Sequence, residues 1–155
     1  MKKQIVIPLG ALNFLHRVLT ETGVVTKQDA RKQHTVFKAM EKTLTDFHNR
    51  LNAVRATYRE SSPMKDNNGN VNPRWIVPEE KQAEYQEKLN EIENEETTVT
   101  FDVESFSVLN SAFDALFAKQ AKLVEEGQSG GMSNELTMKL IEEASAALEK
   151  ATDVE

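Results

Sequence analysis

Between Lys27 and Arg59 the apolar residues recur in alternating steps of three and four: Phe37, Met40, Leu44, Phe47, Leu51, Val54 and Tyr58. This is a heptad seam with no Pro or Gly inside it, and it predicts one long helix. About 33 residues at 1.5 Å each make that helix near 50 Å long. A small domain does not cover such a length completely, so the chain's later helices or a second subunit must hide the seam.

Shorter patterns flank it. The β-branched run Lys3–Pro8 reads as a strand. Gly10–Glu21 follows as a helix with Leu12, Leu15, Val18 and Leu19 on one face and Gly23 as a stop. Ser61–Pro73 is turn chemistry, with Asn68-Gly69 as a tight-turn dipeptide. Arg74–Val77 reads as a short strand, and Pro78-Glu79-Glu80 opens a helix that reaches Glu93. That helix carries a thin stripe of Tyr85, Leu89 and Ile92. Thr97–Phe101 alternates like a strand. Asp102 is placed to cap a helix over 103–125, whose broad apolar face (Phe106, Leu109, Phe113, Leu116, Phe117, Leu123) makes it the natural partner of the long helix.

The fold class expected is mainly α (α+β): a long heptad-patterned helix packed by shorter helices, with a small antiparallel sheet of short strands. Residues 1–125 form one domain. Glu126–Asn134 is a Gly/Ser-rich flexible linker. An amphipathic helix over 135–151 carries Leu136, Leu140, Ile141, Ala144 and Leu148 on one side, to pack in cis, exchange with a neighbour or fray.

Composition removes several chemistries. Without cysteine there is no disulfide, thiolate metal site or cysteine nucleophile. No apolar run approaches the roughly 20 residues of a membrane span. The start, KKQIVIPLGALNFL, superficially resembles a signal peptide. Gln4 and Asn13 interrupt it and no small-x-small cleavage site precedes Thr22, so it reads as strand then helix. The net charge of −6 hides a split: residues 1–75 hold 13 Lys/Arg against 6 Asp/Glu, and residues 76–155 hold 6 against 19. Halves that fold against each other would compensate most of this.

No phosphate loop, HExxH or GxSxG occurs. On the long helix His34, Glu41 and His48 are seven apart, about 10 Å per step, too far to share one metal. Asp66, Asn68 and Asn70 suggest a calcium loop, but the glycine falls at the fourth position and Val77 at the twelfth, so none is expected. No cofactor or metal is implied.

Charge geometry is more informative. With Phe37 and Leu44 at heptad position a, position e holds Lys27, His34, Glu41, His48 and Arg55. Position b holds Arg31, Lys38, Thr45, Asn52 and Arg59. The two columns form one polar ridge beside the seam, basic at both ends. Most such charges are solvated or pair with neighbouring acids. The alternative is an anion site: Arg55 and Arg59 as guanidinium forks, with Tyr58 or Trp75 to stack on a base and Arg74 brought back by the turn. His48, Arg31 and Lys38 extend the candidate set along the ridge. Arg50 sits on the other flank, at position g, as an ordinary charge. Duplex nucleic acid is disfavoured by the acidic half and the mixed charges.

The order of parts is distinctive: a basic heptad helix ending at RATYRE, then KDNNGN, RWIVPEE, an acidic helix, ENEETTVTF and an amphipathic helix. Over about residues 25–125 this resembles a group of small proteins of unknown function from phages and prophages of Gram-positive bacteria. The resemblance implies a phage origin and work in the cytoplasm of the bacterial host; it carries over no functional residue. Joined to the charge ridge and the missing catalytic motifs, it leads to a non-enzymatic accessory protein that acts by binding. The expected role is to counter host defence, by sequestering an anionic nucleotide signal or by blocking a defence protein, as a homo-oligomer away from membranes. The alternative is a virion or tail-assembly component. A nucleotide hydrolase using Glu41 with His34 and His48 ranks last.

Overall fold

In the computed structural model the described residues are 2–21, 27–65, 71–125 and 135–154. The linker 126–134 and the Asn68-Gly69 turn lie outside them. Strand β1 (Lys2–Pro8) leads directly into helix α1 (Leu9–Glu21), and the long helix α2 spans Lys27–Tyr58. Strands β2 (Glu60–Lys65) and β3 (Val71–Ile76) follow, then a 3-10 turn at Glu79–Lys81 and helix α3 (Gln82–Asn94). Strand β4 (Glu96–Asp102), helix α4 (Val103–Glu125), helix α5 (Glu135–Glu149) and strand β5 (Thr152–Val154) complete the order. The architecture is mainly helical with a small antiparallel sheet, as the patterning predicts.

That sheet has the order β4-β1-β5, and both pairings are antiparallel. The alternation of β1 explains its central place. Ile5 and Ile7 face the core at 1% and 0% exposure, while Val6 between them is exposed. Val99 and Phe101 of β4 join them in the core. Strand β5 was not legible in the sequence, because three residues carry too little pattern. Its register comes from pairing with Lys2–Gln4 and from the ion pair of Lys3 Nζ with Asp153, at 2.7 Å.

The stretch read as turn chemistry is a hairpin in which β2 pairs with β3, and β3 starts at Val71 instead of Arg74. Pro63 stands opposite Pro73. Each ring removes a backbone donor, which is tolerated because a two-stranded hairpin has only edge strands. The strand expected at Arg74–Val77 therefore belongs to this hairpin and not to the main sheet.

The centre of the α2 seam is covered within one chain. Helices α1, α3 and α4 and strand β4 pack on it, and Met40, Leu44, Phe47 and Leu51 are buried. Val54 and Tyr58, toward its C-terminal end, are half-buried. At its N-terminal end Val36 is fully buried in place of Phe37, which is half-buried at the edge. A straight α-helix drifts by about 20° per heptad relative to a 3.5-residue repeat, and here that drift rotates Phe37 outward.

Two contacts set the angle of α1. The Leu9 N–H donates to the Glu95 carbonyl at 2.9 Å. Gly10 faces α3 so closely that a Cβ there would lie 3.3 Å from both Cβ and O of Glu93. Helix α5 docks on α1 and β1 of its own chain, adding Ile141, Ala144, Ala147 and Leu148 to the same core.

A candidate ligand groove between the first two helices

On the side of α2 away from α3, α1 crosses the polar ridge and leaves an open groove of about 730 Å³. That is within the range of small-molecule sites, roughly 300–1,000 Å³. From α2 come His34, Phe37, Lys38, Glu41, Leu44, Thr45, His48 and Asn49. From α1 come Asn13, His16 and Thr20. All three histidines of the chain therefore line one groove. Phe37 and Leu44 supply its apolar surface, because the edge of the seam borders the ridge.

Local contacts hold the two walls together. His48 Nε2 lies 3.0 Å from Asn13 Oδ1, a hydrogen bond donated by the imidazole when that nitrogen carries the proton. The His16 ring stands 4.8 Å from the Phe37 ring, tilted by 50°. Burial lowers His16 below the ordinary imidazole range, and the nearby His48 lowers it further. At neutral pH His16 is thus an uncharged imidazole, able both to donate and to accept. Gln33 Nε2 donates to the Leu19 carbonyl at 2.6 Å, closing one end of the helix pair.

The ridge read from the sequence is real, but its centre forms the groove and its ends do not. His48 and Lys38 line the groove. Arg31 lies in a separate depression with Lys32 and Thr35, facing Asp102, Glu104 and the buried Ser105 at the start of α4. From Arg31 to Arg59 is 28 residues along one helix, about 42 Å, so the candidates cannot share one pocket in one chain.

At the C-terminal end of α2 the candidate residues make contacts of their own. Arg55 Nη1 donates back to Asn52 Oδ1 at 3.1 Å, and the Arg59 N–H donates to the Arg55 carbonyl. Tyr58 turns toward α3, where its hydroxyl donates to Glu84 Oε1 at 2.7 Å and its ring meets Tyr85. That hydrogen bond raises the Tyr58 hydroxyl above its usual range, and Glu84, Glu87 and Glu91 add to the effect. An anion beside Tyr58 would meet this acidic helix. The backbones of Arg74 and Trp75 pair with Ser62 and Ser61; the side chains of both residues lie outside the described part. Arg50 forms a 2.6 Å ion pair with Glu95, an example of the basic and acidic halves compensating.

Sequence reasoning missed the α1 wall. Asn13, His16 and Thr20, spaced by three and four, were a legible polar stripe beside the apolar face of α1. Among the described residues no group of three His, Cys, Asp or Glu side chains is placed to hold a metal ion, and no helix is long and apolar enough to cross a membrane. No family model, curated protein or solved structure matches the chain.

Proposed function

We propose that the chain is a phage-encoded, non-enzymatic binding protein of the host cytoplasm that retains a small anionic, nucleotide-like molecule in the α1/α2 groove. Sequestering such a molecule would deprive a host defence of its signal. The observation that carries this reading is the convergence of His16, His34 and His48 with Lys38 on one groove of ligand size. Imidazoles and an ammonium are donors suited to phosphate oxygens. Asn13, Thr20, Thr45 and Asn49 add neutral donors and acceptors around them.

The test is imidazole-detected NMR on the purified protein during titration with a panel of mononucleotides and cyclic nucleotides. Shifts of the three histidine signals, weakened by Lys38→Ala, are expected. No shift with any nucleotide overturns the reading. Chromatography of the released ligand checks the non-enzymatic part, because the nucleotide should be recovered intact.

One observation favours the structural alternative. The β2–β3 strand pair follows directly on the end of α2 and is separate from the main sheet, the form that an arm for a protein neighbour would take. Mass spectrometry of purified virions decides between them, since stoichiometric copies in the particle would support a virion component.

A further inference from the structure

The groove is not uniformly basic, and its one carboxylate restricts what fits. Glu41 lies between His34 and His48 on the groove wall, three residues after Lys38 and four after Phe37. Neither Glu41 nor Lys38 has an ion-pair or hydrogen-bond partner among the described residues, although their spacing would allow one. A carboxylate at this place repels inorganic phosphate or a bare polyphosphate. It suits a ligand that presents paired N–H donors at one end and a negative charge at the other. Phe37, one turn before Glu41 on α2, and His16 across from it on α1 offer two tilted aromatic faces to a planar ring.

Resting on the binding reading above, we infer that the groove takes a guanine nucleotide. Guanine carries two parallel donors, N1–H and the 2-amino group, which a carboxylate accepts together. Adenine places an acceptor, N1, beside its 6-amino donor, and that acceptor would face the Glu41 oxygens. Glu41 reads the base edge, the His16/Phe37 pair contacts its face, and Lys38 with His34 receives the phosphate. Thr20 lines the opposite wall of the groove.

Isothermal titration of the whole chain with guanosine monophosphate, adenosine monophosphate and inorganic phosphate tests this. The guanine nucleotide should bind at least about tenfold tighter than the adenine one, the factor set by one charge-assisted hydrogen-bond pair. Phosphate alone should bind more weakly than either. Glu41→Gln should abolish the preference by weakening the guanine nucleotide and relieving the clash with adenine, while Lys38→Ala weakens both nucleotides. Glu41 is exposed, so its substitution leaves the fold intact. Equal binding of the two nucleotides, or a preference that survives Glu41→Gln, overturns the guanine assignment alone. No binding of any of the three overturns this inference together with the binding reading.

Discussion

His48 and Asn13 are 35 residues apart in the chain, yet His48 Nε2 and Asn13 Oδ1 lie 3.0 Å apart across the groove. This bond fixes one imidazole and pins α1 over the ridge of α2. Asn13→Ala should cost no more than about 1 kcal/mol, since the pair is exposed. It should also broaden the His48 imidazole signal in NMR. A sharp, unshifted His48 signal in the variant would show that Asn13 does not orient the ring.

The lowered proton affinity of His16 predicts a pH dependence. Its unfolded value is about 6.5, and its folded value lies below that. Between the two, the unfolded chain binds more protons, so stability rises with pH through that window and is retained above it. Urea midpoints from pH 5 to 8 should show this slope, and His16→Gln should flatten it. Equal slopes in both proteins would contradict a half-buried, neutral His16.

Met40 is fully buried at the centre of the α2 seam. Met40→Ala should lose about 2–5 kcal/mol, the range for cavities in a packed core. Exposed Thr45 nearby should tolerate Ala within about 0.5 kcal/mol. Chemical denaturation of the two variants compares them directly.

In an open helix, Gly10→Ala would gain up to about 1 kcal/mol from helix propensity. Here the new methyl would press on Cβ and the backbone oxygen of Glu93 at 3.3 Å. The Glu93 carbonyl belongs to α3 and has little room to move. The gain should vanish, and Gly10→Val should destabilise outright. Thermal melts of both variants provide the check, and a clear rise in midpoint for Gly10→Ala would mean that the two helices are farther apart.

Ala144 is fully buried where α5 docks on α1 and β1. Ala144→Asp should cost at least about 3 kcal/mol, because the carboxylate would lose its water without gaining a partner. A small loss in urea denaturation would mean that α5 does not rest on its own chain's core.

Much of the fold was legible because local patterns and tertiary burial agree. The steps of three and four from Met40 to Leu51 became the buried seam, and the alternation in Lys3–Pro8 and Thr97–Phe101 became two neighbouring strands. Less of the site was legible. The charge ridge held His34, Lys38, Glu41 and His48, the stretch of α2 that lines the groove. It could not say which part of its length α1 would cross. Nor could it show that the acidic helix α3 comes to lie beside Tyr58.

The sequence by itself determined the helices, the central strands, the lack of thiol chemistry and the polar ridge, since each is written in periodicity or composition over neighbouring residues. Tertiary structure alone decided three things. It closed the centre of the seam within one chain, added β5 to the edge of β1, and laid Asn13, His16 and Thr20 opposite His34, Glu41 and His48. These depend on the angle at which α1 crosses α2. That angle is set by close contacts such as Gly10 on Glu93 and Leu9 on Glu95, between residues more than 80 positions apart. No local pattern encodes such contacts.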